Sequence, residues 1–162
     1  MLDHGTLDQD HNNQTDILRH KLRHSAAHIM ADAVLQLFPQ AKMGIGPPTQ
    51  DGFYYDFDVP QPFTPDDLIQ IEGLMSKTIS QNQPFIRKEL TRDEAKALFT
   101  DQPYKLEIID AIPDAETLSI YSHGDFTDLC QGPHVENSSD IPAMKLLNIA
   151  GAYWRGDETR PM

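Results

Sequence analysis

The chain has 162 residues, enough for one domain with a real hydrophobic core. Its 13 Lys and Arg against 25 Asp and Glu leave a formal net charge of −12, which excludes broad contact with a phosphate backbone. A single cysteine excludes an internal disulfide, no apolar run is long enough to span a bilayer, and the N-terminus lacks a signal-peptide pattern; a cytoplasmic protein is expected.

Residues 1–15 are polar and aperiodic and read as a disordered tail. His4 and His11 lie there and receive no role. Thr15 or Asp16 is placed to cap a first helix that runs to about Phe38, where Pro39 stops it. At ~100° per residue this helix carries two opposite apolar faces. One is Leu18, Leu22, Ala26, Ile29 and Ala33; the other is His24, Ala27, His28, Ala31 and Leu35. The first packs into a core. The second, with small residues around two histidines, reads as a pocket wall.

Lys42 to Gly46 and Gly52 to Val59 read as an antiparallel hairpin around the Pro47-Pro48 and Asp51-Gly52 turn. Phe53, Tyr55, Phe57 and Val59 share one face of it. Gly44 and Gly46 permit close approach of another backbone or a ligand, or mark a bulge. Thr64-Pro65-Asp66-Asp67 starts a second helix that ends near Asn82. Phe85 to Leu90 reads as a strand, and Thr91 to Glu94 as a capping box opening a short helix to about Phe99. Tyr104 to Ile109 is ambiguous between helix and strand. Leu118–Ser122 and Phe126–Leu129 read as short strands joined through Gly124, and Met144 to Tyr153 as a final strand or strand pair. The domain is placed at 16–155, with 156–162 a linker. The class is α+β, an antiparallel sheet wrapped around the long N-terminal helix.

His24 and His28 are one helical turn apart and face the same space. The second cluster is Asp128-Leu129-Cys130-Gln131-Gly132-Pro133-His134, where Gly132-Pro133 bars a helix. A strand ending near Cys130 would turn to bring His134 back beside it. Three imidazoles and the chain's thiol then line one pocket. Ordinary half-buried histidines and a small buried thiol are the plainer reading. As chemistry, His24, His28, Cys130 and His134 are a four-ligand zinc set that would close the coordination sphere. A Cys/His nucleophile pair and metal-free hydrolysis are equally open. Ser25 stands where a zinc-protease helix carries its Glu.

HSAAH, KMGIGPPTQDGFYYDFD, DLCQGPH and AGAYWRGDE, in this order, resemble the editing domain of bacterial threonyl-tRNA synthetase, over roughly His20 to the end. The histidine and cysteine pairs are also similar to those of alanyl-tRNA synthetase editing domains. The resemblance implies proofreading: hydrolysis of the ester in mischarged Ser-tRNA(Thr), delivered at the tRNA acceptor end with the remainder of the synthetase as partner. It implies catalytic roles for His24, Lys105, Asp128 and Cys130, and substrate binding by His28, His134, Tyr54 and Gly44. Tyr54 and Tyr55 either stack on the terminal adenine or belong to the core. No cofactor is implied for editing, zinc at the His/Cys cluster staying open; ATP and Mg2+ belong to the ligase core, for which the chain has no counterpart. An excised piece of a longer enzyme is therefore expected, with a free-standing, zinc-dependent trans-editing hydrolase of the alanyl type as the rival.

Overall fold

The computed structural model describes residues 4–162, with side chains from residue 13 onward. Helix α1 (His4–Leu37) leads to β1 (Lys42–Met43) and β2 (Phe57–Asp58), then to α2 (Pro65–Ser80). Strand β3 (Ile86–Leu90), α3 (Arg92–Leu98), α4 (Pro103–Ala111), β4 (Leu118–His123) and β5 (Phe126–Leu129) follow. All strand pairing is antiparallel, in a two-stranded sheet β1-β2 and a three-stranded sheet β3-β4-β5. The fold is α+β, with the expected antiparallel sheet divided in two. No helix among the described residues is long and apolar enough to cross a membrane.

Helix α1 starts earlier than Thr15 or Asp16. Residues 1–3 of the expected tail lie outside the described residues; from His4 the backbone is helical. No proline interrupts this stretch, so a helix anchored further along by packing propagates back through it. Residues 13–20 are exposed, and Leu18, expected on the core stripe, is 54% exposed. The doubly buried part of α1 begins at Ser25, and from there both predicted faces are covered: Ala26, Ile29 and Ala33 on one side, Ala27, His28 and Ala31 on the other.

The main core joins α1 to Met43, Phe57, Ile71, Met75 and Phe126. A second cluster, Ala95, Phe99, Ile109, Leu118 and Ile120, lies beneath the three-stranded sheet. Helix α2 begins at the Thr64-Pro65 start read from sequence, where Asp67 completes a capping box, and α3 begins at the expected box of Thr91 with Glu94. The ambiguous segment 104–109 is helical, with Pro103 at its first turn. Strand alternation would put Glu107 on the same face as the buried Lys105 and Ile109, whereas the helix turns it away to meet Trp154 and Arg160.

One C-terminal expectation fails. Met144–Tyr153 forms no strand: it runs as coil, with Leu147 83% exposed. An apolar run becomes a strand only where a sheet edge accepts its backbone, and here the Leu146 amide is taken by the Glu72 carboxylate at 3.1 Å. Residues 156–162, expected as a linker, fold back as a closed loop. The Met162 amide bonds the Ala152 carbonyl at 2.8 Å, and the Trp154 amide bonds the Arg160 carbonyl at 2.9 Å. The turn is made by Arg155 and Gly156, both at positive φ.

Candidate active site

Helix α1 supplies His24, Ser25 and His28 from one buried turn. The segment after β5 supplies Cys130 and His134. Gly132 sits at φ 83°, and a Cβ there would meet the Tyr121 hydroxyl at 2.5 Å, so only glycine makes this turn. The next peptide, Gly132-Pro133, is cis. The chain thus doubles back and lays the His134 ring against those of His24 and His28, with centroids 4.2 and 4.3 Å away. The donor atoms of His24, His28, Cys130 and His134 all lie within 4.8 Å of one another.

The hydrogen bonds fix much of the proton arrangement. His24 Nδ1 is 3.2 Å from the Pro133 carbonyl, which can only accept. So Nδ1 carries the proton, and Nε2 turns a lone pair toward Cys130 Sγ at 3.3 Å. Ser25 Oγ accepts the Val135 amide at 3.0 Å and faces His134 Nδ1 at 2.9 Å. His134 Nε2 reaches the same sulfur at 3.2 Å. Burial holds His24, His28 and His134 below the ordinary imidazole range, and for His28 and His134 neighbouring imidazoles push the same way. Burial also pushes the Cys130 thiol up to about 12, despite the Gly132 amide on its sulfur at 3.2 Å. The cluster is therefore neutral at pH 7, with an S–H free to donate to His24.

Beside it lies a buried charge pair. Lys105, on α4, places Nζ 2.7 Å from Asp128 Oδ1 and donates to the Tyr55 hydroxyl at 2.9 Å. Tyr55 donates in turn to Asp128 Oδ2 at 2.5 Å, and the Leu129 amide reaches Oδ1 at 2.7 Å. Both charged residues are 2% exposed. A pair so deeply buried persists only when its hydrogen bonds are met, and here they are. Burial, then Asp128, holds the Tyr55 phenol well above its usual range, so it stays a donor. His28 Nε2 lies 3.8 Å from Asp128 and joins the two groups, while its Nδ1 is buried without a partner.

That orphaned nitrogen bears on metal binding. A tetrahedral zinc with Zn–S of about 2.3 Å and Zn–N of about 2.0 Å sets S···N near 3.5 Å, close to the separations seen. His24 donating Nδ1–H to a backbone carbonyl is a common support for a ligating imidazole. The two S···N separations, 3.3 and 3.2 Å, match the tetrahedral spacing, while the set as a whole spans 4.8 Å and would have to draw in to close on a metal; all four together would fill its sphere.

The other predicted residues lie apart from the cluster. Tyr54, 44% exposed, lines a cavity of about 780 Å³ between α1, the β2 region and residues 141–152. Gly44 approaches its own chain: its amide bonds the Asp56 carbonyl at 2.8 Å, and a Cβ would lie 3.0 Å from that oxygen. Tyr55 was named from sequence only as an adenine platform or a core residue; its ring lines the cavity, and the role the sequence reading missed is that its hydroxyl completes the Lys105–Asp128 pair. The alternation of GFYYDFD puts it on the inner face, which was the available signal. Ser25 and the Pro133 carbonyl, which orient two imidazoles, carried no such signal. Cys130 also lines a smaller apolar pocket of about 270 Å³ with Ile108, Leu118 and Leu129.

A helix-borne imidazole pair closed by a returning Cys/His loop defines a class. Residues 118–162 match the family described as the threonyl and alanyl tRNA synthetase second additional domain. Over a longer stretch the chain is similar to threonine–tRNA ligases, which supports a fragment of a threonyl-tRNA synthetase. It is 60% identical over 141 residues to a threonine–tRNA ligase of Dehalococcoides mccartyi, 56% over 143 residues to that of Oleidesulfovibrio alaskensis, and 50% over 149 residues to that of Borrelia duttonii. These alignments take in 87%, 87% and 91% of this chain but 24%, 22% and 26% of the relatives, so the chain spans about a quarter of their length.

Proposed function

We propose that this chain is the proofreading unit of a threonyl-tRNA synthetase and hydrolyses the ester of Ser-tRNA(Thr). The observation that carries the reading is the Lys105 ammonium held between Asp128 and Tyr55, next to a neutral imidazole cluster. The need is physical. Serine is threonine without one methyl, and one methyl in a binding pocket discriminates by only ~10–200-fold. A second site that rejects the methyl and hydrolyses serine removes the error.

Water is the nucleophile. The His24 Nε2 lone pair, on a partly exposed ring, exchanges its contact with the Cys130 thiol for the water and takes a proton as the water oxygen bonds to the ester carbonyl carbon. Lys105 spends two of its three N–H groups on Asp128 and Tyr55, leaving one for the oxyanion. The C–O bond to the ribose then breaks, and the proton on His24 passes to the departing oxygen. Asp128 is saturated by donors and acts by holding Lys105. Cys130 orients His24 and His134. Tyr54 and the cavity it lines receive the terminal nucleoside of the acceptor end. The partners are tRNA(Thr) and the remainder of the synthetase, and the reading carries a cytoplasmic location with it.

The rival is a zinc-dependent trans-editing hydrolase of the alanyl type, favoured by the four donor atoms within 4.8 Å. Three of His24, His28, Cys130 and His134 would hold the metal and leave a position open, where it would supply Lewis acidity when bound. Metal analysis with a panel of aminoacyl-tRNAs separates the two. The primary test incubates the protein with Ser-tRNA(Thr) and Thr-tRNA(Thr) and measures free amino acid. Serine release with threonine retained is expected; no release, or equal release, rejects the proposal.

A further inference from the structure

Helix α4 carries Lys105 yet has little to hold it by itself. It is nine residues long, its N-cap Gln102 makes no side-chain cap, and it has no acidic residue in its first turn and no basic one in its last. A helix this short is marginal in water and depends on tertiary anchors. Three sets of contacts provide them. At its start, the Gln102 side chain accepts the Met43 amide at 2.8 Å, and Tyr104 donates to Asp58 at 2.6 Å. At its end, the Arg92 guanidinium bonds the Ile109 and Ile112 carbonyls.

The third set grips the middle of the helix, two residues from Lys105. Residues two apart point roughly 200° from each other on a helix. So while Lys105 points into the site, Glu107 points out, onto the closed loop 152–162. Glu107 accepts both arms of the Arg160 guanidinium, at 3.0 and 2.5 Å, and the Trp154 indole N–H at 2.9 Å. Trp154 is 2% exposed and packs on Tyr104, with ring centroids 4.7 Å apart; Arg160 lies over the same Tyr104 ring at 5.6 Å. A bidentate guanidinium–carboxylate pair fixes orientation as well as distance. The loop presents both donors rigidly, through the Trp154–Arg160 backbone bond and the Asp157 carboxylate on Thr159.

We infer that Glu107 is a positioning residue: by binding Trp154 and Arg160 of the C-terminal loop it sets the pose of α4 and so holds Lys105 between Asp128 and Tyr55. The catalytic part of this inference rests on the proposed editing reaction; the geometric part does not. It assigns work to the AYWRGD stretch that the site itself leaves unexplained, namely keeping an ammonium in register from the far side of its helix.

The experiment has two arms, run well below the melting temperature of each variant. The first is acylation of lysine amines by a small anhydride, followed site by site by mass spectrometry. Lys105 is protected in the parent protein by burial. Glu107→Ala is expected to raise its labelling rate about tenfold, by lowering the cost of local opening. Arg160→Gln, which leaves α4 untouched, is expected to do the same. Unchanged Lys105 labelling in both folded variants overturns the inference, whatever the protein's activity. The second arm is single-turnover deacylation of Ser-tRNA(Thr). Misplacing Lys105 is expected to cost about 10²-fold with Glu107→Ala. In a Lys105→Ala background the same change is expected to alter the rate less than about twofold, because the residue it acts through is gone. Equal losses in both backgrounds show a merely structural role and overturn the inference. A parent protein that leaves the serine ester intact refutes the proposed reaction instead, and the labelling arm still decides the positioning.

Discussion

His24 is set apart from the other histidines by one bond. The Pro133 carbonyl accepts a hydrogen bond from its Nδ1–H, so the lone pair at Nε2 is fixed toward the sulfur. His28 is fully buried and has no such bond. His24→Ala is therefore expected to slow single-turnover deacylation by ~10²–10⁴-fold while shifting the unfolding midpoint little. His28→Ala is expected to show a smaller rate effect. A His24→Ala protein that melts much earlier yet deacylates normally when folded would return these residues to plain packing. Cys130 makes the complementary case. A thiol at about 12 is thiolate on the order of 10⁻⁵ of the time at pH 7, too little for a working nucleophile. Cys130→Ser is expected to lower the rate without abolishing it, and trapping of an acyl-thioester on Cys130 would overturn the water mechanism.

Among the elements, α4 and the C-terminal loop form a unit with its own pH dependence. Arg160, then Trp154, holds the Glu107 carboxyl at about 2, against 4.5 when free. A carboxyl depressed in the folded state adds stability above its unfolded value. That stability fades as pH falls from 4.5 toward about 2, where the folded state must also take up the proton. Denaturant midpoints measured at pH 7, 4.5 and 3 are expected to fall more steeply for the parent than for Glu107→Gln, whose midpoint starts lower. The side chain is 38% exposed, so solvent screening keeps the difference modest. Identical slopes would mean that the ion pair adds nothing to folding.

For the molecule as a whole, charge bears on how the proposed tRNA substrate would be held. A formal charge of −12 supplies no general attraction for phosphates, and the site is a small buried cluster rather than a basic surface. Weak binding of uncharged tRNA is expected from this chain alone, with the acceptor end brought to it by the rest of a synthetase. Electrophoretic or anisotropy titration at physiological salt checks this; tight binding would show that the chain carries its own tRNA surface.

The sequence by itself determined what local chemistry can determine. Proline and threonine placed the starts of α2 and α3, Pro39 closed α1, and four-residue spacing put His24 and His28 on one face. The glycine–proline pair announced a turn between Cys130 and His134, and the order of motifs named the family. What it left open were matters of partnership. Whether 104–109 is helix or strand depended on which residues found a buried neighbour, and whether 144–153 is a strand depended on a sheet edge that is not offered. The tail 156–162 looked like a linker because its polar residues show no periodicity, yet its partners lie on α4, about fifty positions away in sequence. Only the tertiary structure joined Lys105 to Asp128 through Tyr55, since an ammonium in the sequence has no sign of burial until the chain closes over it.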